Sequence, residues 1–267
     1  MEFIDVTLAR RLELAHAHRT VEYAQAQKEL NPQLGASVEQ IGSAFAVYAG
    51  PGSPVNGVGG MGLSGPTRRH ELNQVVRFFE TRETSARVTV CPLADSSLTE
   101  LLAERGFCLQ AFFSVLLMPM AIAHDSAAPE PAIDVREVHD EDRGLWLRTV
   151  AGGFAGEGSA QSIIEIIRPT LYSASARSFL ALVRGVPAGG GTIISHEGVA
   201  ELCSASTLPA FRGRGVHTAL IHARLIAARQ AGCDLAMVIT APAAPSQRNV
   251  ERLGFRLAYT RAVVTTR

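Results

Sequence analysis

Both halves of the chain end on the same pattern. "VTVCPLADSSLTELLAERGFCLQAFFSVLL" begins at Val88 and "AMVITAPAAPSQRNVERLGFRLAYTRAVV" at Ala236. Laid together without a gap, Gly106 and Phe107 meet Gly254 and Phe255, Leu109 meets Leu257, and Val115 meets Val263. Each segment predicts a strand, a proline-containing loop, a helix closed by glycine, and a further strand. A duplicated domain is the reading that follows; two unrelated strand–helix–strand units are the alternative.

Length agrees with duplication, because 267 residues lie near the size at which one hydrophobic core stops growing. The natural boundary is "AIAHDSAAPEPA" at 121–132, rich in alanine and proline and without periodicity. The expected division is a domain over 1–120, a linker over 121–132, and a second domain over 133–267. Charge divides across the linker as well. The first 132 residues carry 10 basic and 14 acidic side chains, the remainder 15 and 11.

The balance as a whole is neutral, with 25 of each sign, so a basic footprint suited to nucleic acid is missing. The apolar run "LQAFFSVLLMPMAIA" is too short to span a bilayer. "MEFIDVTLARRLELAH" interleaves charges with apolar residues and reads as no export signal. Cys91, Cys108, Cys203 and Cys233 are far apart, without a CxxC pair, and read as reduced thiols of a cytoplasmic protein with no metal site. Lys28 is the sole lysine, at the end of an amphipathic helix, which rules out a GxxxxGK[ST] phosphate loop.

The second half reads as alternating α and β. "IDVREV" predicts a strand, "HDEDRGLWLRTVAGGF" a helix, and "SFLALVRG", "AGGGTIIS" and "VAELCSAST" three strands in a meander. A helix follows over about 215–230, stopped by Gly232, and "LAMVITA" is a buried strand. Between the third strand and that helix stands "PAFRGRGVHTAL". A helix start presents unpaired N–H groups and the positive end of its dipole. Gly213 and Gly215 admit a bulky anion to the main chain, and Arg212 and Arg214 add donors matched to phosphate oxygens. The combination predicts an anion cradle; an arginine-rich turn with solvated side chains is the plainer reading.

"RGRGVH", with Pro209 before it and "SQRNVERLGF" after it, resembles the cofactor signature of the GNAT superfamily of acetyl-CoA-dependent N-acetyltransferases. The resemblance covers roughly 133–267, and the degenerate repeat extends it to most of the chain. It implies an α/β fold (α+β by some schemes) of two tandem GNAT-like domains, each a mixed, mostly antiparallel twisted sheet flanked by helices. It implies acetyl transfer from acetyl-CoA, as cosubstrate and without metal, directly to the primary amine of a small molecule. Assembly as a homodimer is left open.

By the same resemblance, main-chain groups of Thr207 and Leu208 would meet the pantetheine arm. The N–H groups of Gly213, Arg214, Gly215, Val216, His217 and Thr218 would hold the pyrophosphate. Asn249 would contact the arm near the sulfur, or else cap its helix. His217 departs from the small residue that ends the family signature. Val250 stands where many family members carry the tyrosine that protonates the departing thiolate. For proton transfer the candidates are Glu201, on the strand leading to the cradle, and Tyr259, on the last strand. A solvent-facing strand carboxylate and a packing tyrosine are their structural alternatives. A non-catalytic acyl-CoA-binding or regulatory module is the alternative function.

In the first half, "GVGGMG" at 57–62 matches GxGxxG, which raises a dinucleotide site. Val58, Met61 and Leu63 make it equally a strand, and the repeat sets "SGPTRRHE" where the second half has its cradle. The first domain is therefore expected to have lost its cofactor site. His16, His18 and His70 read as surface helix residues.

Overall fold

The structure is a computed structural model that describes residues 3–122, 133–155 and 159–266; all but the first two residues of the expected linker lie outside them. The chain divides into two compact units. The first holds Met1–Leu116, Ile239–Arg248 and Arg256–Arg267, and the second Leu117–Val238 and Asn249–Phe255.

In the first unit, helix α1 (Val6–Leu30) starts on Asp5, whose carboxylate accepts the Leu8 N–H at 2.8 Å. Strands β1 (Ser37–Ile41) and β2 (Ala44–Tyr48) form a hairpin, followed by the short β3 (Gly57–Gly59) and helix α2 (Arg69–Glu80). The GxGxxG segment thus contributes three strand residues and then turns. Next come β4 (Arg87–Val90), α3 (Ser96–Glu104) and β5 (Cys108–Pro119). Asp95 caps α3 by accepting the Ser97 N–H at 3.0 Å. A core under α2 and α3 gathers Leu72, Val75, Phe79, Leu98 and Leu102 against Val58 and Val88. A separate cluster packs Val21, Tyr23 and Ala24 of α1 on Val47 of β2.

In the second unit, β6 (Ile133–Glu137) precedes α4 (Arg143–Ala155) and α5 (Ala160–Leu171). The meander follows as β7 (Ala176–Val183), β8 (Val186–His196) and β9 (Val199–Thr207). Helix α6 (Val216–Gln230) and strand β10 (Leu235–Thr240) come next. The sheet order is β10-β9-β8-β7-β6, antiparallel except for the parallel β9–β10 pair.

Three consecutive glycines in β8 explain how two helix layers press on this sheet. Successive strand residues face opposite sides. A Cβ on Gly190 would lie 2.7 Å from Val150 and 2.8 Å from the Trp146 indole nitrogen, both on α4. A Cβ on Gly189 or Gly191 would lie 3.0 Å from Val216 or from the Arg224 guanidinium, both on α6. One face thus receives α4 and the other α6. Trp146 is fixed by donating its Nε1–H to the Phe179 carbonyl at 3.1 Å, within a core that includes Val150, Ile167, Leu171 and Leu180.

Helix α7 (Pro245–Arg252) and strand β11 (Arg256–Thr265) complete the repeat of β4, α3 and β5. The last strand counts with the first unit, where it pairs antiparallel with β4 from Ala262↔Val90 to Thr265↔Arg87. Each unit is a mixed, mostly antiparallel sheet flanked by helices.

Candidate functional site

The end of β9, the turn after it and the mouth of α6 make one continuous structure. Parallel pairing with β10 ends at Glu201↔Met237, although β9 runs on to Thr207. From Leu202 onward β9 keeps only its partner β8 among the described residues. Its register with β8 slips between Gly190 and Thr192, and Ser204 adopts φ 47°, so β9 bulges there. Leu208 is tied off on both sides: its N–H donates to the Ala188 carbonyl at 2.9 Å, and its carbonyl accepts the Phe211 N–H at 2.9 Å.

The turn leads into α6 through two left-handed residues, Gly213 at φ 73° and Gly215 at φ 79°. Gly215 is the N-cap of α6 and supplies no side-chain acceptor. The first capping bond of the helix is Ala219 N–H to the Gly215 carbonyl at 2.9 Å. The N–H groups from Gly213 to Thr218 find no acceptor among the described residues. In α1 and α3 an aspartate fills this role; at α6 the donors stand open for an anion.

The two arginines behave differently. Arg214 projects from the turn with its guanidinium 5.7 Å above the Phe211 ring. Arg212 folds back, donating from Nε to the Thr207 carbonyl at 3.3 Å and from Nη2 to the Gly153 carbonyl at 3.0 Å. It braces the cradle against the end of α4. Contact there is close because α4 carries Gly152 and Gly153. A Cβ on Gly152 would lie 2.9 Å from Leu208, and one on Gly153 would collide with Ser206. Ser206 in turn donates to the Val150 carbonyl at 2.8 Å.

Two buried polar atoms beside the turn have no partner among the described residues: Thr207 Oγ1 and His217 Nδ1. Burial, reinforced by Arg224, pulls the His217 imidazole down to about 4, so it is neutral at physiological pH. Arg224 lies beneath the bulge at 1% exposure. Its donors reach the carbonyls of Leu220 at 2.9 Å, Thr192 at 3.3 Å and Cys203 at 3.5 Å. Burial lowers its guanidinium to about 10, so it stays charged at neutral pH. Sequence reading passed over Arg224, since an arginine amid helical alanines and leucines reads as solvent-facing.

Of the proton-transfer candidates, Glu201 lies on the paired part of β9 at 3% exposure, enclosed by the sheet and not facing solvent. Tyr259 lies in the first unit. Its hydroxyl donates to Glu13 Oε1 at 3.0 Å, and burial, with Glu13 beside it, pushes the phenol well above its ordinary range. Such a phenol is a poor proton donor to a leaving group. Glu13 also accepts from Arg261 at 2.8 Å, so this cluster pins β11 to α1. Asn249 is half-buried on α7, and Val250, on the same helix, is enclosed. Of the histidines expected at the surface, His70 is exposed. His18 pairs with Glu22 at 3.2 Å, and His16 lies 2.9 Å from the Arg261 guanidinium.

The model of the acetyltransferase (GNAT) family matches residues 145–255, from α4 through α7. This stretch is similar to a GNAT domain. Among solved structures, a GCN5-related N-acetyltransferase from Kribbella flavida is similar at TM-score 0.65 and 16% identity. That likeness covers 92% of this chain and 95% of the other. A tandem GNAT protein from the clavulanic acid biosynthesis pathway is similar at TM-score 0.59 and 14% identity, over 86% and 83% of the two chains. A GCN5-related N-acetyltransferase from Sphaerobacter thermophilus gives TM-score 0.56 and 15% identity, over 79% and 71%. Comparison with curated proteins gives no match. At these identities the structures speak for the fold, and they support a GNAT-like architecture in both units of the chain. Among the described residues, no group of three or more His, Cys, Asp or Glu is placed to hold a metal ion, and no helix is long and apolar enough to cross a membrane.

Proposed function

We propose that the GNAT domain transfers an acetyl group from acetyl-CoA directly to the primary amine of a small molecule. The observation that carries this reading is the open mouth of α6: main-chain donors from Gly213 to Thr218 with no acceptor of their own, beside the exposed Arg214. A diphosphate fits them in charge and in number of acceptors. Thr207 Oγ1 and His217 Nδ1 are further polar atoms that a ligand can satisfy. The pantetheine arm would run along the edge of β9 beyond Glu201, which has no β10 partner. Asn249 would meet it nearer the sulfur.

Chemistry then requires a neutral amine held against the thioester carbonyl. Its nitrogen attacks, the C–N bond forms, the C–S bond breaks, and coenzyme A leaves as the thiolate. Positioning supplies much of the rate, and a main-chain donor on β9 would polarise the carbonyl. Glu201 is the carboxylate proposed to take the ammonium proton; its burial requires that the proton arrive through water. Val250 has no proton to give, so the thiolate is protonated by solvent or released as such.

That missing donor also motivates a second reading, an acyl-CoA-binding module without turnover. Thioester consumption measured against a panel of primary amines separates the two. Turnover with at least one amine supports transfer; coenzyme A binding without turnover across the panel supports the module.

A further inference from the structure

Strand β9 carries one residue more than β8 at its bulge. Between the pairs Thr192↔Cys203 and Gly190↔Ser206, four residues of β9 face three of β8. The excess is taken up at Ser204, whose φ of 47° lies in the left-handed region, unfavourable for a residue with a Cβ. The bulge begins just past the last β9–β10 pair, Glu201↔Met237, on the stretch of β9 that keeps an open edge among the described residues.

Arg224 braces this bulge from the α6 side. Its Nη1 donates to the Thr192 carbonyl at 3.3 Å and, more weakly, to the Cys203 carbonyl at 3.5 Å; these two residues form the last regular pair. Its Nε is anchored on the Leu220 carbonyl of its own helix at 2.9 Å. Gly191, opposite the bulge, gives the guanidinium its room. A Cβ there would lie 3.0 Å from Cζ and Nη1 of Arg224 and 3.1 Å from Ala205.

Packing alone does not call for such a residue. Among the described residues its hydrogen-bond partners are main-chain carbonyls, with no carboxylate to balance the charge. A cation enclosed in this way opposes folding, and an apolar side chain of similar length would hold α6 on β8 at less penalty. A buried charge and a left-handed serine thus meet at one point, where the chain keeps a geometry against its local preference. That point adjoins the edge along which the pantetheine arm is proposed to run.

We propose that Arg224 is a positioning residue for acetyl transfer: by holding the Thr192 and Cys203 carbonyls it keeps β9 bulged, so that a main-chain N–H of Ser204, Ala205 or Ser206 meets the acetyl carbonyl oxygen. The assignment rests on the acetyl-transfer reading above. Negative charge collects on that oxygen as the C–N bond forms, and a donor already in place stabilises it. Arg224 acts through β9 and not on the substrate.

The test compares acetyl-CoA with coenzyme A by amide NMR of the ¹⁵N-labelled chain. Both ligands should shift Gly213 and Gly215 alike, and acetyl-CoA alone should shift an amide among Ser204, Ala205 and Ser206. Arg224→Met should abolish the acetyl-specific shift and lower kcat at least about tenfold, with KM for acetyl-CoA and Kd for coenzyme A within about threefold. Arg224→Lys, which keeps the charge without the guanidinium fork, should fall between, and it carries the test if Arg224→Met unfolds. An arginine that served stability alone would leave both the acetyl-specific shift and kcat in place. If coenzyme A binds without turnover of any amine, the shift comparison decides by itself. No acetyl-specific shift in the unaltered chain, or one that persists in both variants while Gly213 and Gly215 still respond, would overturn the assignment alone. Gly213 and Gly215 unmoved by either ligand would overturn the acetyl-CoA reading and this assignment with it.

Discussion

The Arg212 guanidinium reaches back from the cradle to the Gly153 carbonyl in the last turn of α4, 3.0 Å away. A cation there satisfies an orphan carbonyl and the negative end of the helix dipole. In the proposed coenzyme A site Arg212 would therefore act by fixing the turn, and Arg214 is the arginine presented outward. Arg212→Ala should raise the Kd for coenzyme A about tenfold, the size expected for charge-assisted hydrogen bonds. Arg212→Lys should rescue little of it, because one ammonium cannot bridge both Thr207 and Gly153. Full rescue by lysine, read by calorimetry, would mean that charge alone matters.

Gly190 is a tight point of the second unit's sheet, with Val150 and Trp146 on top of it. Gly190→Ala should cost about 1–3 kcal/mol through overpacking. Urea denaturation measures it. A cost near zero would show that α4 can lift off β8.

His217 gives a pH dependence with a definite sign. Its folded value, about 4, lies below the 6.5 of an ordinary histidine, so the unfolded chain binds more protons between the two. Stability should be full above about pH 6.5 and fall as pH drops toward 4, by up to roughly 3 kcal/mol. His217→Gln should remove this component, as denaturation at pH 7.5 and pH 5 would show. Arg224→Met should raise the His217 value, seen by NMR titration, yet leave it below 6.5, because burial is the larger cause.

In the first unit, Arg261 and Glu13 are an ion pair at 4% and 2% side-chain exposure. Arg261→Met alone leaves a buried carboxylate uncompensated and should destabilise by about 3–5 kcal/mol. Glu13→Leu combined with Arg261→Met should recover much of that loss. A double-mutant cycle by urea denaturation checks the coupling, and additive losses would mean that the pair does not pin β11.

Local signals carried much of the fold in the sequence. Glycine turns at Gly185 and Gly198 marked off β7, β8 and β9, and apolar spacing marked α6, because those devices act within a few residues. What was illegible depended on distant partners. Nothing local in "RLAYTRAVV" says that β11 leaves the unit of α6 to pair with β4; that choice is made by Val88 and Val90 and by Glu13 on α1. The glycine triplet read as a strand, but its purpose needed Trp146 on one side and Arg224 on the other. At the cradle, the glycines and open amides followed from the motif, whereas the inward turn of Arg212 required knowing where α4 ends. The bond by which Glu71 accepts the Arg68 N–H at the start of α2 was illegible, because an arginine is not one of the residues that announce a helix start.

The mouth of α6 is proposed to grip the diphosphate of coenzyme A. The direct measurement is a titration of the ¹⁵N-labelled chain with coenzyme A, following the amides of Gly213 and Gly215, alongside the same titration with pantetheine. Large, saturable shifts are expected at both glycines with coenzyme A, near-absent shifts with pantetheine, and loss of binding in Gly215→Val. Coenzyme A binding that leaves those two amides unmoved would contradict it.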